Sequence, residues 1–262
     1  MILVSLALAA LIPPAFEVVD RAGSRVDMLG VRGVVPREPR DPSDPHCSEG
    51  VAPRWCVSAS RSDGSGWTVT VANAQASRRA QIRLPDSDAP GTRLVVDSRV
   101  VRGADGSTMV GVIRIDSGGF SGGGWQTHRF ILIRVTAETE GIVLDLPLLG
   151  SASIRACFDE RDRRRRRDAC TDEYGFMAGF ELDTENAAPT PAFNVWTDAT
   201  TYPGRRSRTE DSSRGRPLRA QDLVRWRDPD CTHRRRYRFD AAAGRYLPDS
   251  PVPACADYLD FE

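Results

Sequence analysis

The chain contains no lysine. All 36 of its basic residues are arginine, set against 36 acidic ones, for a formal net charge of zero. That balance argues against a general polyanion binder, whose affinity rests on excess positive charge. Local basic patches remain open, and the arginine bias fits codon usage in a GC-rich genome. Histidine is scarce too: His46, His128 and His233 are scattered, and only His46 and His233 stand beside a cysteine. No cysteine pair has the C-x-x-C spacing of a zinc site. No sustained 3.6-residue apolar period follows the first fifteen residues, which excludes a long-helix architecture. Internal repeats are absent, and no apolar run reaches the roughly 20 residues that span a bilayer.

Six cysteines are present: Cys47, Cys56, Cys157, Cys170, Cys231 and Cys255. They fall into three sequence-local pairs, each bracketing a plausible turn or hairpin. Six cysteines permit 15 pairings, and nearest-neighbour bonding is the simplest. Paired cysteines of this kind point to an oxidising compartment. Residues Met1 to Ala15 are apolar and end in small residues, so 1–16 reads as a secretory signal, although it lacks a positive start. Residues 17–46 read as an N-terminal extension, with a short strand at Val31 to Val35 and a linker spaced by Pro36, Pro39, Pro42 and Pro45. A compact domain is expected over 47–262, periplasmic or secreted, with no membrane span once the signal is removed.

Within that domain the signals are for strands. Arg54–Ser60 and Trp67–Ala72 flank a turn-rich loop and read as a hairpin, with Trp67, Val69 and Val71 on one face. Ala80–Leu84, Thr92–Val101 and Thr108–Asp116 follow. Thr127–Val135 is apolar on both faces, the mark of a strand between two layers. Gly141–Leu146, Ala192–Trp196 and a last hairpin around Arg236–Phe239 continue the pattern, with one helical turn expected near Leu218–Val224. The class is all-β: a mostly antiparallel sandwich or irregular barrel with disulfide-closed hairpins. An immunoglobulin core is not supported, because the cysteines flank loops.

The stretch from Ser151 to Asp183 organises the chain. It reads as strand, arginine-rich loop, strand, with Cys157 and Cys170 pinching the base and the run between them needing no fold of its own. Arg163, Arg164, Arg165, Arg166 and Arg167 are the candidate contacts for an anion or partner, because guanidinium forks match such groups. Asp159, Glu160, Asp162 and Asp168 match much of that charge locally, and a solvated tip that blocks edge pairing explains the run equally well. Arginines of Arg234–Arg238 read as a wet strand face. Gly119-Phe-Ser-Gly-Gly123 matches G-x-S-x-G, but the helix that motif needs is replaced by another strand. Asp159/Glu160 and Asp172/Glu173 are paired carboxylates, a type used in acid–base and glycosidic chemistry or calcium binding. Neighbours on a strand point to opposite faces, which works against a convergent site.

Several stretches resemble exported proteins of unknown function from GC-rich bacteria: Cys157 to Glu160 with Ala169 to Tyr174, Thr200 to Pro203 with Ser207, Arg208, Asp211 and Ser212, and Asp230–Cys231 through Tyr237 to Asp240, Gly244 to Tyr246 and Cys255, with a fainter likeness over Ser117 to Trp125. The resemblance implies an exported, disulfide-bearing domain. It carries no activity, cofactor or catalytic residue. Three functions fit these observations. The first is a non-catalytic envelope or periplasmic module binding a protein or glycan, without cofactor or nucleic acid. The others are a hydrolase of envelope polysaccharide and an inhibitor of a secreted enzyme.

Overall fold

The computed structural model describes residues 18–28, 42–48, 54–62, 65–73, 79–85, 89, 91–211 and 215–261. The signal-like start and the Val31–Val35 strand lie outside them. The described chain runs β1 (Val18–Val19), β2 (Arg25–Met28), β3 (His46–Cys47), β4 (Trp55–Ser62), β5 (Ser65–Asn73), β6 (Arg79–Arg83), β7 (Arg93–Arg102), β8 (Thr108–Phe120), β9 (Gly123–Val135) and β10 (Glu140–Arg155). Helix α1 (Glu160–Arg166) follows, then β11 (Thr171–Leu182), β12 (Phe193–Tyr202), β13 (Trp226–Arg227), β14 (Arg234–Asp240), β15 (Arg245–Pro248) and α2 (Ala256–Leu259). Every pairing is antiparallel. The all-β, sandwich-like reading holds. A large sheet has the order β1-β2-β7-β8-β9-β10-β11-β12-β14-β15, with β13 beside β12, and a small sheet has the order β3-β4-β5-β6. The large sheet is open, so the barrel alternative does not apply.

Three apolar clusters explain the layering. In the first, Val57, Val69, Val71 and Ile82 of the small sheet meet Val110, Val112, Ile131 and Ile133 of the large one. In the second, Phe130, Leu132 and Met109 on the other face meet Phe193, Val195, Tyr237 and Tyr246. Strands β11 to β15 therefore fold back over β8–β10. The Tyr246 hydroxyl fastens that layer, donating to the Pro191 carbonyl at 2.8 Å. Alternate residues of β9 serve the two cores, as its two-sided apolar pattern predicts. Each fully buried aliphatic or aromatic side chain contributes about 1.5–3 kcal/mol. The third cluster packs α2, through Tyr258, onto Ala152, Tyr174 and Phe176.

The fold-back starts at a register shift between Pro147 and Leu149 in β10. Proline cannot donate to a ladder and is tolerated at edges and bulges. Pairing with β11 begins only beyond it, at Leu149 opposite Met177. β11 is thus free to diverge from the first half of β10.

Two expectations change. The compact body begins before Cys47, because β1 and β2 extend the large sheet at β7. Buried Asp20 anchors that hairpin, accepting from Ala22 N at 3.0 Å, Ser24 N at 2.7 Å and Asn186 Nδ2 at 3.1 Å. Strands of two and four residues are too short to show a period. The glycine-rich connection between β8 and β9 is also mostly strand: Gly118 faces Trp125, Gly119 faces Gly124, and only Ser121 and Gly122 turn.

Candidate functional site: the disulfide-closed arm

All three local disulfides are present, Cys47–Cys56, Cys157–Cys170 and Cys231–Cys255. The Cα atoms of Cys157 and Cys170 lie 4.8 Å apart, and Ala156 N donates to Cys170 O at 2.9 Å, so the base of the arm is pinched as expected. The arginine run itself is not a loop. It forms α1, which the sequence does signal: Asp159 is an N-cap, its Oδ1 accepting from Asp162 N at 2.8 Å. Asp162 reaches back to accept from Phe158 N at 3.0 Å. Glu160 and Asp162 occupy the first turn and arginines the last, the order that suits the helix dipole. Arginine is itself a good helix former. Arg167, at φ 51, ends the helix.

The five candidate arginines divide by task. Arg166 is buried, donates through Nε to Ala169 O at 2.8 Å and pairs with the buried Asp172. Arg165 donates to Gly215 O at 2.5 Å, and Arg167 to Leu218 O at 3.1 Å, while Leu218 N donates to Arg165 O at 2.9 Å. These bonds dock the helix on the segment 215–218. Arg163 is exposed and pairs with Asp168 at 2.9 Å, a hydrogen bond that further stabilises its charge. Arg164 points to solvent, as does Arg161, and neither side chain has a partner among the described residues. The run is therefore chiefly an anchor, with two arginines left for outside contact.

Phe158 opens the arm at 64% exposure, and Phe120 on the β8–β9 tip is 50% exposed. Arg155 joins them. Its guanidinium stands 5.4 Å from the Phe158 ring centre, its Nε donates to Cys157 O at 2.7 Å, and its N–H donates to Gly122 O at 2.6 Å. The result is an exposed aromatic and arginine surface on a backbone held by a disulfide, a capped helix and strand pairing. Burial alone marks Phe158 as unusual; its sequence context did not.

The other candidates do not converge. Asp159 caps α1, Glu160 pairs with Arg163, Asp172 with Arg166, and Glu173 accepts from Arg225 at 2.5 Å. Ser121 sits on an exposed hairpin turn followed by β9, not on a strand-to-helix elbow. His128 lies five residues along β9 from Gly123, about 17 Å at strand rise. Among the described residues no group of three or more His, Cys, Asp or Glu is placed to hold a metal ion. No helix among them is long and apolar enough to cross a membrane. Comparison with protein-family models, with curated proteins and with solved structures gives no match in any of the three.

Proposed function

We propose that this chain is an exported, non-catalytic binding module of the cell envelope that docks an acidic protein surface through the Cys157–Cys170 arm. The observation that carries the reading is Phe158: a large aromatic ring left in water on a backbone locked on both sides. Exposed apolar patches on rigid supports are characteristic of contact surfaces, and preorganisation lowers the entropy cost of association. Arg161 and Arg164 supply charge that steers an acidic partner and fixes its orientation. Three disulfides, the signal-like start and the resemblance to exported proteins support the compartment. Inhibition of a secreted enzyme is a second reading of the same arm, supported by its exposed Phe158 and its disulfide closure.

The test is site-specific photo-crosslinking in the producing cells, with a benzophenone side chain at position 158 and, as control, at Glu138 on the β9–β10 turn. One discrete protein adduct from position 158, absent from position 138 and weakened by Arg161→Glu with Arg164→Glu, is expected. No adduct, or one indifferent to charge reversal, would overturn the proposal.

A further inference from the structure

A second surface, on the outer face of β11, β12 and β14, carries a different chemistry. Trp196 is 36% exposed and stands opposite Gly179 on β11 and Arg234 on β14. A Cβ on Gly179 would come within 2.6 Å of the indole. The missing side chain is what lets the ring lie down across the neighbouring strand, one face on the sheet and the other toward water. Around it runs a groove of about 370 Å³, whose polar walls are Glu181, Asn194, Arg234, Arg236 and Asp249. Asn194 pairs with both Glu181 and Arg236 across the ladders, so these groups are set by strand register.

The charge of the lining decides among ligands. Arg236 is matched by the buried carboxylate of Asp183. Arg235 alternates to the opposite face, paired with buried Val195, so Arg234 stands against Glu181 and Asp249, one positive charge against two negative. A polyanion would meet both carboxylates at close range, and like charges juxtaposed across an interface are penalised. An apolar peptide segment would bury charged walls without pairing them. A pyranose ring satisfies every element at once. Its C–H face is apolar and stacks on an indole, while its edge hydroxyls both donate and accept, which suits guanidinium, amide and carboxylate together. We propose that this groove is a binding site for a neutral glycan, with Trp196 as the stacking platform, Gly179 as the residue that positions it, and Glu181, Asn194 and Arg234 as hydroxyl contacts. It stands apart from the arm and does not depend on the arm's role.

The whole protein is titrated with cellohexaose, maltohexaose, xylohexaose and chitohexaose, and separately with polygalacturonate, following calorimetry and tryptophan fluorescence. At least one neutral oligosaccharide should bind with a fluorescence change, and Trp196→Ala should weaken it by about tenfold or more, the weight expected of an aromatic anchor. Gly179→Ala, which leaves every proposed contact group in place, should also weaken binding by tilting the ring. Arg161→Glu with Arg164→Glu should leave it unchanged, which separates this site from the arm. The proposal is overturned if none of the four binds at concentrations up to about 10 mM, the millimolar limit of weak recognition. It is equally overturned if Trp196→Ala binds as the parent does, or if polygalacturonate binds in preference.

Discussion

Arg166 shows how a single residue can change meaning between sequence and structure. In the sequence it is one of a run and looks solvated. In the fold its side chain and that of Asp172 are 5% and 2% exposed, in contact inside the arm. Removing one partner of such a pair leaves a buried charge uncompensated, at a cost of about 3–5 kcal/mol. Arg166→Ala should therefore lower unfolding stability by that order in denaturant titrations, while Arg164→Ala should change it by less than about 0.5 kcal/mol, as for an ordinary surface site. Equal effects would contradict the division of the run into anchor and contact residues. His128 and His233 supply a pH dependence. Each is held below the ordinary imidazole value, first by burial and then by a neighbouring arginine, Arg93 and Arg235 respectively. The unfolded chain then takes up protons near the ordinary value of 6.5 while the folded chain resists them. Above that value both states are neutral and nothing changes. As pH falls below it, stability is lost until the folded histidines protonate. Denaturant midpoints should fall between about pH 7.5 and 5.5, around the imidazole range, and the His128→Gln, His233→Gln double variant should flatten that slope. An unaltered slope in the double variant would assign the effect elsewhere.

At the scale of the element, the arm and the β8–β9 hairpin carry the tests. The Cys157–Cys170 bond closes a 13-residue separation. In the chain-entropy model such a closure stabilises by about 3 kcal/mol, through the unfolded state. Cys157→Ser with Cys170→Ser should lower the melting temperature and leave the β signal in far-ultraviolet circular dichroism unchanged, because β10 and β11 stay paired from Leu149 to Arg155 without it. Loss of β signal at ambient temperature would mean the disulfide holds the sheet and not the arm alone. Gly111 tests the packing of β8 on β9. A Cβ there would stand 2.3 Å from the Phe130 ring, so Gly111→Ala should destabilise by about 1–3 kcal/mol through overpacking. The strands are legible because alternation survives in β5 and β6, where one face is buried, and because β9 carries a short run apolar on both faces. Helix α1 reads as a loop in the sequence because seven residues carry too little apolar pattern to reveal a period; only the Asp159 cap marks it.

The whole molecule is layered about β9, which contributes Ile131 and Ile133 to one core and Phe130 and Leu132 to the other. Two cores sharing a strand cannot melt apart without exposing that strand, so unfolding should be a single transition. Variants that keep only Trp67, in the small sheet, or only Trp125, near α2, should report the same denaturant midpoint. Ile133→Ala should move both together by about 2–5 kcal/mol. Separate midpoints would show that the small sheet is an independent unit.

Composition and alternation by themselves determined the all-β class, the central place of β9 and the absence of a G-x-S-x-G elbow, and made local pairing the simplest of the 15 cysteine connectivities. These follow from local chemistry: period two, short cysteine spacings, and a strand where a helix was needed. The fold-back of β11–β15, the burial of Arg166 and the resting of Trp196 on Gly179 were decided only in three dimensions. Each depends on which distant strand arrives opposite a given residue. Asp172 meets Arg166 only once the arm has closed, and Gly179 faces Trp196 only once β11 and β12 are in register. A sequence names the residue types available for such encounters, but register and burial choose which of them occur.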